Sequence, residues 1–119
     1  ALVEADAAKI EQVLANLVGN AVKYSPNGSK IIISSVVEKD QVKISVHDEG
    51  IGLTPEEMPL VFDRFFRANN EKTRFVKGFG IGLYISREIV ERHGGKIGVQ
   101  SEADQGSIFW FSLPLAGLL

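Results

Sequence analysis

Residues Gln12 to Tyr24 read QVLANLVGNAVKY, and two periodicities are superimposed in them. Val13, Leu14, Leu17, Val18, Ala21 and Val22 recur at helical spacing, which predicts one buried stripe. Asn16, Asn20 and Lys23 fall at i, i+4 and i+7 and share a second strip of the same helix. Solvated helix faces are ordinarily built from Glu, Lys and Arg, because Asn competes for backbone hydrogen bonds inside a helix. Either Asn alone reads as a local hydrogen-bonder; the row of two amides and a cation points to a face turned toward a ligand. An amide oxygen is a hard ligand suited to Mg²⁺, and a lysine is a point charge suited to phosphate.

A chain of 119 residues is long enough for one domain with its own core, and residues 1–119 read as a single unit of a longer protein. Thirteen basic residues against fifteen acidic ones leave a net charge of −2, so there is no concentrated basic surface for nucleic acid. The absence of cysteine excludes disulfides, thiolate metal sites and thiol chemistry. No apolar run approaches the ~20 residues that span a bilayer, so no membrane contact is expected of this part. It reads as a cytoplasmic domain, with any membrane attachment of the parent left open.

Along the chain, Ala1 to Ala5 alternate like a short strand, and Asp6 stands where a helix N-cap belongs. The first helix is expected to run to Tyr24, where Ser25-Pro26-Asn27-Gly28 stops it. Lys30–Glu38 and Gln41–Asp48 are β-rich runs about the polar pair Lys39-Asp40 and predict a hairpin. In the second run Val42, Ile44 and Val46 share one face and Lys43, Ser45 and His47 the other, so His47 is expected to be exposed. Thr54-Pro55-Glu56-Glu57 has the form of a capping box opening a short helix. Phe62, Phe65 and Phe66 sit in the aromatic and basic run VFDRFFR, where core packing is expected of at least one of them.

Residues 68–77 are polar and unpatterned and are expected to form a mobile loop. They lead into Gly78-Phe79-Gly80-Ile81-Gly82-Leu83 and a helix ending at His93-Gly94-Gly95, with His93 expected to cap or pack its last turn. Lys96–Ser101 and Ser107–Leu113 complete the strands. The class is therefore α+β: a two-layer sandwich with a mixed, mostly antiparallel sheet of about five strands under about three helices.

Gly78-x-Gly80-x-Gly82 is followed by no Gly-Lys-Ser/Thr and preceded by no strand, which excludes a Walker loop and a dinucleotide fold. It does offer backbone N–H groups before a helix N-terminus, a good anion site. Asp48 at a strand end can accept a hydrogen bond from an exocyclic amine, while Gly50 and Gly52 let the backbone turn and admit a flat ring. Together these parts describe a nucleotide site: Asp48 for the base, Asn16 and Asn20 for the metal, Lys23 and the 78–82 loop for phosphates.

The order NLVGNAVKYS, DEGIG, FDRFFR, GFGIGL and QGSIFWFSLP closely resembles the N, G1, F, G2 and final-glycine boxes of sensor histidine kinase catalytic domains. These have the Bergerat-type ATP-binding fold also found in type II topoisomerases, heat-shock chaperones and mismatch-repair ATPases. The resemblance implies that Asn20 ligates Mg²⁺, that Asn16 supports the phosphate site and that Lys23 and Tyr24 lie at the phosphates or sugar. It places Asp48 on the adenine amino group, Gly50 and Gly52 around the base, Phe62 in the nucleotide-binding set and Arg67 near the γ-phosphate. Gly78, Gly80, Gly82 and Leu83 would form the hinge and anion cradle of an ATP lid. Lys77 and Phe79 stand where the family often has a glycine and a Thr or Ser.

The ATP-hydrolysing relatives resemble one another in placing a Glu base four residues before the metal Asn; here that position is Asn16, which cannot take a proton from water. Poor hydrolysis and direct phosphoryl transfer are therefore expected, from Mg-ATP to a histidine on a separate dimerisation domain. Neither His47 nor His93 lies in a His-Glu/Asp-x-x-x-Pro context, so the acceptor is not in this chain. The resemblance implies as partners the parent's own dimerisation domain and a response regulator, with this part monomeric and the parent a homodimer. A Bergerat-fold serine kinase of the anti-sigma type and a degenerate nucleotide-binding module are the alternatives.

Overall fold

The computed structural model describes residues 5–26, 28–63, 82–102 and 105–116. Helix α1 (Ala7–Tyr24) starts where expected, with the Asp6 carboxylate accepting from the Lys9 N–H at 3.2 Å. Strands β1 (Ile31–Glu38) and β2 (Gln41–Asp48) form the hairpin about Lys39-Asp40, Lys39 adopting φ +50°. Helix α2 (Gly82–Arg92), β3 (Ile97–Ser101) and β4 (Ser107–Pro114) follow.

The strands form one sheet in the order β1-β2-β4-β3, every neighbouring pair antiparallel. Both helices pack on one face of it and against each other, a two-layer α+β arrangement. The expected class holds with fewer elements: among the described residues there are four strands, none parallel, and two α-helices. The strand expected at the start falls mainly on residues 1–4, outside the described residues.

The pleat decides which side chains enter the core. Val46 on β2 and Phe109, Phe111 and Leu113 on β4 point at the helices, where they meet Val13, Leu17 and Ala21 of α1 and Leu83, Ile89 and Val90 of α2. Ile10, Leu14 and Val18 flank the α1 stripe, half-buried. Val22, expected in that stripe, is the next member of the flanking row and stands 60% exposed, because no described element lies over the last turn there. Phe62 packs edge-to-face on Phe109, ring centroids 6.2 Å apart at 81°, so core packing is what this aromatic does.

The capping box forms in full: the Thr54 N–H donates to Glu57 Oε1 at 2.9 Å and the Glu57 N–H to Thr54 Oγ1 at 3.2 Å. What it opens is a single 3₁₀ turn, Met58–Leu60, instead of the α-helix expected. His93 closes the far end of the helical layer. Its Nδ1 lies 2.8 Å from the Ile89 carbonyl, which can only accept, and its Nε2 lies 3.1 Å from the Asp6 N–H, which can only donate. These partners fix the tautomer with the proton on Nδ1, and the ring ties the start of α1 to the end of α2. His47 is exposed on the sheet face away from the helices.

Candidate functional site

The strip of α1 carrying Asn16, Asn20 and Lys23 faces the start of α2 at its upper turn. Asn16 Nδ2 donates to the Gly82 carbonyl at 3.2 Å and to Ser86 Oγ at 3.1 Å. Since a carbonyl only accepts, the amide nitrogen must face α2, and Oδ1 remains as the acceptor end of the side chain. Ser86 is fully buried, and of the buried polar residues among those described it alone lies on a helix. Asn20 follows one turn later, half-buried, and Lys23 is exposed at the helix end.

The helix then hands over to the turn after β2. Tyr24, the last residue of α1, accepts the Ile51 N–H on its carbonyl at 3.2 Å. Gly50 lies so close that a Cβ there would strike the same Tyr24 carbonyl and the Asp48 carboxylate. One backbone bond and one glycine thus place the end of the Asn strip beside Asp48. The turn is also tied to the start of β1, where the Lys30 N–H donates to Glu49 Oε1 at 2.7 Å.

Asp48 is 5% exposed, unusual for a carboxylate at the end of a strand. Burial raises its pKa above the ordinary 3.8; the N–H groups of Gly50 and Ser107 and the nearby His47 oppose that rise. The Gly50 N–H reaches Asp48 Oδ1 at 2.8 Å. The result is a desolvated carboxyl held in place from two sides.

Gly52 has the role expected of it as a turn, with φ +68°, but its lack of a side chain serves the protein's own backbone: a Cβ would run into the Glu102 carbonyl. Sequence reasoning missed the partner segment. Gly106, at φ +87°, lies so close under Asp48 that a Cβ would strike the Asp48 carbonyl. Ser101 Oγ, at the end of β3, receives the Leu53 N–H at 2.7 Å. Beyond the resemblance of QGSIFWFSLP to the final-glycine box, the local signal for that support was the glycine within Glu102–Gly106, which reads as an ordinary turn.

Of the residues singled out from the sequence, the described ones come together: Asn16, Asn20, Lys23 and Tyr24 along α1, Asp48, Gly50 and Gly52 at the end of β2, and Gly82 at the start of α2. Leu83 is buried in the core, and Phe62 packs on Phe109 of β4. Arg67, Gly78 and Gly80 lie outside the described residues, as do the whole of the expected loop 68–77 and most of the FDRFFR run. Among the described residues no three His, Cys, Asp or Glu are grouped to hold a metal ion, and no helix is long and apolar enough to cross a membrane.

A helical layer on one face of an antiparallel sheet, with an amide-bearing helix beside a buried strand-end carboxylate, is the frame in which these residues meet. The chain belongs to the histidine kinase-, DNA gyrase B- and HSP90-like ATPase family, whose model matches residues 5–117. It is 45% identical over 114 residues to the sensor histidine kinase WalK of Bacillus subtilis, a match covering 94% of this chain and 19% of WalK. The chain thus spans about a fifth of that relative's length. Among solved structures, the mycobacterial sensor histidine kinase MprB superposes with a TM-score of 0.81 at 29% identity, covering 94% of this chain and 74% of that one. Full-length ShkA in complex with AMPPNP gives 0.81 at 31% identity over 94% of this chain and 22% of that one.

Proposed function

We propose that this chain is the ATP-binding catalytic domain of a sensor histidine kinase, and that it delivers the γ-phosphoryl of Mg-ATP to a histidine on a separate dimerisation domain. The observation that carries this reading is the buried Asp48 at the end of β2, joined through Gly50 and Tyr24 to the Asn strip of α1. The polarity suits a nucleotide: a buried acceptor for an exocyclic amine at one end, amides and a lysine for phosphates at the other. The AMPPNP complex of ShkA and the family membership support the same ligand.

In this reading Asp48 accepts from the adenine amino group, with Gly50 and Gly52 shaping the walls that admit the ring. Tyr24 and Lys23 lie toward the sugar and phosphates. The residues present fit a Mg²⁺ ion: Asn20 offers a neutral hard oxygen, and Mg²⁺ commonly takes one or two protein oxygens together with phosphate oxygens and water. When bound, the ion neutralises charge on the phosphates. Asn16 supports that end, held by Gly82 and Ser86. Arg67 near the γ-phosphate, with Gly78, Gly80, Gly82 and Leu83 as the hinge and anion cradle where a lid joins α2, completes the proposal.

No base for water is provided at position 16. The Asn16 amide nitrogen is committed to the Gly82 carbonyl and Ser86, and an amide does not accept a proton at neutral pH. Transfer then depends on positioning and charge neutralisation, which suffice for phosphoryl chemistry when an acceptor is presented. A response regulator would receive the group downstream, and the parent would act as a homodimer. The test is to incubate the chain with γ-labelled ATP and Mg²⁺, alone and with the parent's histidine-bearing dimerisation domain. Label on the added domain, with little phosphate released by the chain alone, is expected. Steady release of phosphate without transfer would contradict the reading.

A further inference from the structure

We infer that Ser101 is a positioning residue for Asp48 and thereby sets how sharply the site separates adenine from guanine; this rests on the nucleotide reading above. Ser101 Oγ lies 2.7 Å from the Leu53 N–H, 3.0 Å from the Gly106 carbonyl and 2.7 Å from Ser107 Oγ. The protons can be assigned by elimination. A backbone N–H only donates and a carbonyl only accepts, so Ser101 receives from Leu53 and gives its one proton to Gly106. Ser107 must then donate its hydroxyl proton to Ser101. One oxygen takes two hydrogen bonds and gives one, and no capacity is left over.

Each of the three partners touches the carboxylate's setting. Leu53 follows Gly52, whose missing side chain lets the turn after Asp48 lie on the Glu102 carbonyl. Gly106 lies directly under the Asp48 carbonyl. Ser107 is paired with Asp48 across β2 and β4, and its N–H helps to hold the carboxyl. The Ser101 hydroxyl therefore joins the two segments that grip Asp48, one on each side, although it lies at the end of a different strand.

The consequence is for specificity. Adenine offers an amine donor at the position where guanine offers an oxygen acceptor. A carboxylate fixed in place rewards the first and repels the second, whereas one free to turn away from the base gives up part of the difference. Ser101→Ala removes the joint and leaves the Leu53 N–H and Gly106 carbonyl to find other partners. Ser101→Thr keeps the hydroxyl on a strand position that tolerates β-branching.

The experiment is calorimetric titration of the chain with Mg²⁺-ADP and Mg²⁺-GDP, on wild type, Ser101→Ala and Ser101→Thr, each checked for a cooperative thermal melt. Wild type should prefer ADP. In Ser101→Ala the ratio of the two dissociation constants should shrink by about tenfold, the size expected for one displaced hydrogen bond, and Ser101→Thr should restore most of it. A folded Ser101→Ala with the wild-type ratio overturns the inference, even if both affinities fall together, because that pattern marks general loosening. Should Ser101→Ala not melt cooperatively, Ser101→Cys gives the same comparison, because a thiol fills the place of the hydroxyl but is a weak hydrogen-bond partner for the Leu53 N–H and the Gly106 carbonyl; an unchanged ratio there overturns the inference equally. Wild type that binds neither nucleotide would remove the nucleotide reading itself, a result separable from all of these.

Discussion

The turn after β2 and the strand β1 beside it invert the usual distribution of side chains. At the turn a carboxyl and two serines, Asp48, Ser101 and Ser107, are buried or half-buried and each is hydrogen-bonded. On β1 the apolar Ile32, Ile33, Val36 and Val37 are each more than half exposed among the described residues. Burying polar groups costs free energy unless every one finds a partner. At the turn they do, so the structure there is over-determined by short bonds and by glycines that admit no side chain. β1 is held by its ladder to β2, and its outward side chains bring little packing. A region built the first way should respond sharply to small changes, and one built the second way should hardly respond.

The sharpest break should come from Gly106→Ala. It adds a Cβ at φ +87° against the Asp48 carbonyl, so strain and collision act together. We expect a loss of about 2–4 kcal/mol in denaturant-unfolding stability, and no loss would mean that the turn is not over-determined. A subtler effect lies in the pH dependence. Burial raises the Asp48 pKa above 3.8, so the folded state holds this proton more tightly than the unfolded chain does. The stability it contributes is fully present below 3.8 and is lost as pH rises through the folded value. Wild type should therefore lose ground to Asp48→Asn as pH rises across that window in parallel urea titrations, and a gap that moves the other way would refute the assignment. The smallest effect should be on β1. Ile32→Thr and Val36→Thr, on the sheet face away from the helices, should each shift stability by no more than about 0.5 kcal/mol; larger losses would show that this strand is packed against something.

The same contrast explains what was legible in the sequence. The Asn strip, the capping box at Thr54–Glu57, the Lys39-Asp40 hairpin and the bond of His93 to the Ile89 carbonyl depend on partners a few residues away or on simple periodicity. Spacing alone exposed them. The partners of Asn16 lie 66 and 70 residues further on, and Ser101 is 48 residues from Leu53, so no local pattern could announce them. Gly50 and Gly52 were legible as turn residues. That their bare backbones pack on Tyr24 and Glu102 was not, because the neighbour is chosen by the sheet order β1-β2-β4-β3. Val22 shows the reverse error: helical periodicity marks an apolar stripe but not where the covering element ends.

The central claim is that Asp48 reads the base of a bound nucleotide, and Asp48→Asn tests it with the least disturbance of shape. The measurement is calorimetric titration of wild type and Asp48→Asn with AMPPNP, with and without Mg²⁺. We expect Mg²⁺-dependent binding by wild type and a loss of about 10- to 100-fold in the variant, the range for a hydrogen bond to a charged group. Binding of undiminished strength by Asp48→Asn would contradict the claim and move the base elsewhere in the fold.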